Sequence, residues 1–392
     1  MHGKLGNAKK SAEFCHETLA RQLKASSYDP LDWATNAAVL SQFYLNHNNH
    51  ITARYHLVSA RVVFDKHFNS EGGMKSGGGE GVVEKEVEDE VREKVLKCQA
   101  TIERLSVKYG LHLLEFSSSE ADEAVENVEA ADDEAVESPE FDELELGDRL
   151  EEVGGSKATD WESARLLFLW SQARVVASQK YFSMEERCSE YVELAREHSQ
   201  LYKHLISWEV EPDRQAKMLR RRADLLEPIL AELNVAHYLL TVRQLRFELG
   251  EIFSDMMDLK HERLQAEPGN PQVIKKVNLL VQQAVRHFSA FQDTMKVDGK
   301  LPEEYNEDTV RPALLCHFYL GRLASKLVVP DRSEQQLQNV LATFAAYKAI
   351  VDYCEAHPVA AEVMEGEVEV CREMVRLMPV RIEKLRRELV RN

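Results

Sequence analysis

The sequence predicts an all-α chain, a superhelix of short helical repeats, and three observations carry that expectation. No stretch longer than five residues alternates apolar and polar side chains as a half-buried strand does. Apolar residues instead recur at spacings of three and four, with Pro, Gly and Asn between the periodic segments. One helix–turn–helix signature, Leu31 to Phe64, returns about 200 residues later and again near residue 320.

Taken in order, residues 9–25 read as a helix with Ala12, Cys15, Leu19 and Leu23 on one apolar stripe. It resembles the second helix of a repeat, so the chain is expected to begin inside a repeat array. Tyr28 to Pro30 end it. Ala37, Leu40, Ser41 and Tyr44 then share one helical face, Asn46, Asn48 and Asn49 form a turn, and Ala53, Leu57 and Ala60 share the next face. With Leu40 at the seventh position of a 34-residue tetratricopeptide repeat, Ser41, Tyr44, Ala53, Leu57 and Ala60 fall on consensus positions. Ala37 and Asp65 stand where that repeat usually has Trp and Pro. Small residues let paired helices approach, and large ones fill the groove between repeats. Burying one Leu is worth roughly 1.5–3 kcal/mol, so each pair needs a neighbour over its open face.

The run NSEGGMKSGGGEG at 69–81 is a flexible loop. It is no phosphate-binding loop, because Lys75 follows Met74 where that motif requires Gly and no strand precedes it. Val91, Val95, Cys98, Ile102, Leu105, Tyr109 and Leu113 define a long helical run over 82–116, and a helix of about 30 residues would span roughly 45 Å, enough to join two halves of a superhelix. From Ser119 to Glu152 sixteen Asp and Glu stand against one Arg, and 117–158 is expected to be a disordered acidic insert. Thr159 with Glu162 reads as a capping box opening a helix whose buried side is Trp161, Ala164, Leu167, Leu169, Trp170 and Ala173. Further helices are predicted at about 184–207, 211–232, 236–262, 270–296, 308–327, 333–355, 359–377 and 379–390. Pro228 is expected to kink or end the second of these. Leu249, Gly250 and Phe253 repeat the Leu40, Ser41, Tyr44 spacing, and Leu320, Gly321 and Ala324 echo it. The predicted organisation is thus the end of an N-terminal tetratricopeptide-like subdomain over 1–81, a linker helix over 82–116, the insert over 117–158, and a C-terminal subdomain over 159–392.

Composition excludes several classes. Hydrophobic residues at 44% suffice for folded cores, and no run of about 18 apolar residues could span a membrane. The N-terminus has no apolar core like that of a signal peptide, and six scattered cysteines suit reduced thiols buried in helix cores, so a cytoplasmic protein is expected. The net charge of −18 sits almost entirely in the insert, which leaves a nearly neutral body without the basic face that nucleic acid demands.

Candidate chemistry is sparse. His47 and His50 flank a polar turn and lack further convergent metal ligands. Asp255 and Asp258 lie one helical turn apart and read as a salt-bridged helix end, and Arg220, Arg221 and Arg222 read as partners for Asp224 and Glu227. No nucleophile elbow or zinc motif is present, so no enzyme and no cofactor is expected.

Six blocks in order, LARQLKASSYDPLDWATNAAVLSQFYL at 19–45, MLRRRADLLEP at 218–228, DMMDLK at 255–260, VIKKVN at 273–278, RPALL at 311–315 and VDYCEAHP at 351–358, resemble the kinesin family-binding protein family. The resemblance implies a right-handed tetratricopeptide-like superhelix of two subdomains joined by a long helix. It also implies a partner: members bind the motor domain of certain kinesins, keep it off the microtubule, and are linked to axonal microtubule organisation and cargo transport. The motor-contacting helices carry over onto Gln22 and onto Asn36, Val39 and Phe43, where Val39 departs from the small polar residue expected. Roughly the first two fifths of a typical member are absent. The alternative, a general repeat scaffold or co-chaperone that clamps a peptide carboxylate, is disfavoured because Asn36 has few Lys beside it.

Overall fold

The computed structural model describes residues 2–68, 85–123, 141–152, 157–267, 269–329 and 333–391. Fourteen helical segments and no strand occur among them, and Val297 pairs with Lys300 in an isolated β-bridge. The chain divides into two compact units, Met1–Val210 and Glu211–Asn392.

The first unit contains α1 (His2–Lys24), α2 (Pro30–Leu45), α3 (His50–His67), α4 (Lys85–Glu123), the single turn α5 (Arg149–Glu152), α6 (Trp161–Gln179) and α7 (Cys188–Ser207). Local chemistry sets the starts. Asp29 accepts hydrogen bonds from the Leu31 and Asp32 amides with Pro30 at the first helical position, and Asn49 accepts one from Thr52 after Asn48 turns the chain at φ 57°. The capping box of α6 is made by Asp160 and Ser163, one residue later than the predicted Thr159 and Glu162. Its buried side also differs: Ala164, Leu167, Phe168, Ser171 and Val175 are buried, whereas Leu169 and Ala173 are exposed. The long helix α4 packs against α2 and α3 and also against α6 and α7, so the first compact unit extends beyond the acidic stretch to Val210.

The acidic stretch differs from a wholly disordered insert at both ends. α4 continues to Glu123, and Phe141, Leu146 and Ala158 are buried. The Gly-rich loop and residues 124–140 lie outside the described residues.

The second unit contains α8 (Pro212–Glu232), α9 (Leu239–Ala266), α10 (Pro271–Asp293), α11 (Glu307–Lys326), α12 (Glu334–Ala356), α13 (Pro358–Val363) and α14 (Glu365–Arg391). From α8 to α11 each helix packs mainly on its neighbours in sequence, the packing habit of helical repeats, and α12 packs on α11 and α14 alike. At Gly321 a Cβ would lie 3.0 Å from Ala346 and from the Tyr347 ring, so the small residue of the repeat signature is where the next helix approaches. Neither Pro228 nor Pro379 ends its helix. α8 runs through Pro228, and α14 runs through Pro379, its true start lying just after Met364.

Candidate partner-binding groove

α1 and α2 are joined by Trp33, which is 1% exposed and donates its indole N–H to the Leu19 carbonyl at 3.0 Å. Between the two helices runs a groove of about 920 Å³. Gln22, Asn36, Val39 and Phe43 all line it. On α2, Asn36, Val39 and Phe43 stand at i, i+3 and i+7, one helical face. Val39 is 53% exposed, Gln22 is half-buried, and Phe43 is half-buried with its ring 4.4 Å from that of His47. Sequence reasoning missed Phe14 and Thr18, which line the same groove and precede Gln22 by eight and four residues. Stepping back by fours from Gln22 along α1 finds both. Cys15 also lines it and is exposed, and Cys188 is half-buried, which corrects the expectation of six buried thiols. His16 takes the place of Cys15 in the buried stripe of Ala12, Leu19 and Leu23.

Behind the groove a buried aromatic cluster holds α1. His16 Nδ1 lies 3.0 Å from His56 Nε2, and His56 Nδ1 lies 2.8 Å from the Thr52 carbonyl. That carbonyl can only accept, so His56 carries its proton on Nδ1 and accepts from His16 at Nε2. Burial pushes His56 down to about 4, the Thr52 hydrogen bond opposing, and burial also lowers His16. Both rings are therefore neutral at pH 7. Phe141 stacks on His16 at 4.5 Å, meets the Trp33 edge at 5.2 Å, and donates its backbone N–H to the Tyr55 hydroxyl. Arg149 pairs with Asp65 at 3.0 Å farther along the same strap.

The remaining candidates are structural. His47 Nδ1 lies 2.7 Å from the Phe43 carbonyl, and His50 lies 3.2 Å from His112 and against Phe116. No group of three or more His, Cys, Asp or Glu able to hold a metal ion occurs among the described residues. Asp258 pairs with Arg322 at 2.6 Å, Arg220 with Asp224 at 2.8 Å, and the buried Arg222 with Glu248 at 3.2 Å. No helix is long and apolar enough to cross a membrane among the described residues.

The family model described as KIF-1 binding protein C terminal matches residues 31–385. The chain belongs to this family. Proteins named KIF-binding protein from Xenopus tropicalis and Homo sapiens are 35% and 34% identical to it, over 97% of this chain and 64% and 63% of their own. The Drosophila melanogaster protein of that name is 30% identical over 99% of this chain and 66% of its own. A solved structure titled kinesin binding protein matches 97% of this chain and 65% of that one, with TM-score 0.59 and 28% identity. The chain thus spans less than two thirds of the frog and human relatives, and its helical-repeat fold is that of the family.

Proposed function

We propose that this chain is a kinesin motor-binding regulator, that the groove between α1 and α2 takes a helix of the motor domain, and that occupancy keeps selected kinesins off microtubules. Microtubule-based transport and axonal microtubule organisation are the processes it would affect, from a cytoplasmic, cytoskeleton-associated location. The observation that carries the reading is convergence: four residues chosen by resemblance on two separate helices line one groove. Its chemistry suits an amphipathic helix. Phe14, Val39, Leu40 and Phe43 offer an apolar floor, and Gln22, Asn36 and Thr18 supply polar contacts that fix register. Inhibition by this route needs no catalysis and no cofactor, only a contact that covers or reshapes the motor's microtubule-binding helix.

Co-sedimentation tests it. A purified kinesin motor domain with microtubules and a nonhydrolysable nucleotide is titrated with this chain, and the motor is expected to move saturably from pellet to supernatant. Gln22→Glu and Asn36→Glu are expected to weaken that release about tenfold or more, because each buries an unpaired charge against an apolar partner face. A motor that stays in the pellet here, and also with a chain lengthened to the full span of the relatives, overturns the proposal.

A further inference from the structure

A second cavity, of about 220 Å³, lies where the end of α11 meets α9, the start of α12, and α14. Among the described residues its lining includes Lys326, the exposed Arg381 and Ser325, His261 and Asn339 and no carboxylate. Asn339 is 8% exposed, and its Oδ1 accepts from Gln335 Nε2 at 3.0 Å, which turns the amide so that Nδ2 is buried without a partner. His261 Nδ1 is likewise buried without a hydrogen bond. Lys326 and Arg381 pair with no carboxylate among the described residues, while the nearby Asp258 is engaged by Arg322. Burial chiefly holds His261 below its ordinary range, and the Lys326 and Arg322 cations push it the same way against Asp258.

Unsatisfied buried donors are rare in folded proteins, and here Asn339 Nδ2, together with the unpartnered His261 Nδ1, sits beside two cations that pair with no carboxylate among the described residues. The amide lacks an acceptor, and the imidazole lacks a partner at Nδ1. A water molecule could take one donor, but it answers neither positive charge. An oxyanion supplies several acceptor atoms and negative charge together. The volume falls below the range of about 300–1,000 Å³ typical of drug-sized ligands, which favours a phosphate group bearing few other atoms.

The geometry points to a phosphate-binding site in this cavity, in which Asn339 Nδ2 and His261 Nδ1–H donate to the anion and Lys326 and Arg381 pair with it. The ligand class is inorganic phosphate or a small phosphate monoester. The site is distinct from the groove of the first unit and does not depend on the reading given to that groove.

Inorganic phosphate is titrated into the full chain at constant ionic strength, read by the His261 imidazole resonances and by thermal unfolding. The expected result is a saturable shift of the His261 signals, a rise in its pKa, and a higher melting temperature. Lys326→Gln and Arg381→Gln are each expected to weaken phosphate about tenfold, the scale of one charge-assisted contact. Asn339→Asp guards against mere misfolding: its carboxylate pairs with the two cations in place of the ligand. This variant should melt higher than the unsubstituted protein without phosphate and no longer respond to it. Glycerol phosphate in solution against vesicles containing phosphatidic acid distinguishes a soluble monoester from a lipid headgroup. Absence of a saturable response in the unsubstituted protein, or equal responses in all variants, overturns the assignment.

Discussion

The helix pair α2–α3 and the helix pair α9–α10 solve one packing problem twice. Leu40, Ser41, Tyr44 and Leu249, Gly250, Phe253 have the same spacing, and in each pair the aromatic stacks on a buried histidine of the following helix. Tyr44 lies on His56 at 5.0 Å and 21°, Phe253 on His287 at 5.5 Å and 15°. Burial brings both imidazoles down to about 4. The surroundings differ. His56 is hydrogen-bonded to another histidine, under an aromatic lid that Phe141 completes from 85 residues farther along the chain. His287 is approached by Arg246 at 3.5 Å and is also depressed by Arg286. Spacing fixes how a pair closes, and sequence-distant residues decide what covers it.

The largest expected effect comes from removing that cover. Phe141 is 1% exposed, and Phe141→Ala should cost about 3–5 kcal/mol by cavity formation and lost transfer energy. All four tryptophans, Trp33, Trp161, Trp170 and Trp208, belong to the first unit, so their fluorescence follows it alone while far-UV circular dichroism follows both. In urea the fluorescence midpoint should fall and the remaining dichroism transition stay in place. Equal shifts in both would mean that Phe141 is not confined to the first pair's cover. The same variant should also weaken motor release in the co-sedimentation assay, since α1 is one wall of the groove.

Acid is the next perturbation. The unfolded chain holds histidine near 6.5, so between pH 6.5 and about 4 it binds protons that native His56 and His287 refuse. Stability from each is fully present above pH 6.5 and lost as pH falls through that window, up to about 3 kcal/mol per residue. His56→Gln should reduce the slope of the fluorescence transition by at most about 1.4 kcal/mol per pH unit and leave the second transition unchanged. His287→Gln should do the reverse. An unaltered slope in either variant would mean that the substituted histidine does not carry the linkage.

A smaller difference lies at the small residue itself. A Cβ on Gly250 would come within 2.7 Å of the Phe288 ring, which is fully buried and stacked on Tyr319 at 4.8 Å. Gly250→Ala should therefore cost about 1–3 kcal/mol, although Ala is the better helix former by about 1 kcal/mol. Calorimetric unfolding that shows a gain in stability would mean that Phe288 gives way freely.

These contrasts bear on what sequence can disclose. Periodicity and capping residues located most of the helices, because an amphipathic stripe and a side-chain acceptor are local facts. Pro379 misled for a physical reason. Val368, Cys371, Met378, Ile382 and Leu385 are buried against the core shared with α12, and their stripe stays in phase across the proline, so packing outweighs the lost hydrogen bond. Phe141 was hidden by averaging, since one aromatic in an acidic run has no periodic partner to reveal it. The groove was legible only through resemblance, for neither α1 nor α2 alone says which faces meet. Asn339 and Lys326 gave no signal at all, being ordinary residues that only the packing of α9, α11, α12 and α14 brings together.

The smallest effect tests the comparison most closely. Ser41 is fully buried, and its hydroxyl donates to the Ala38 carbonyl at 2.5 Å and accepts from Gln42 Nε2 at 3.1 Å. Ser41→Ala removes both bonds, yet the Ala38 carbonyl stands in the helical ladder and the half-exposed Gln42 can turn to water. The methyl occupies the space the serine Cβ already fills, and helix propensity improves by a few tenths of a kcal/mol. The net change should stay within about 1 kcal/mol in fluorescence-monitored urea unfolding. The same alanine, set at matching positions of two repeats, should then be nearly neutral in one and costly in the other, because one neighbouring helix presents a ring where the other leaves room for a side chain. A loss at Ser41 as large as that at Gly250 would place the cost in the hydroxyl's hydrogen bonds, and the distance between helices would cease to explain the difference.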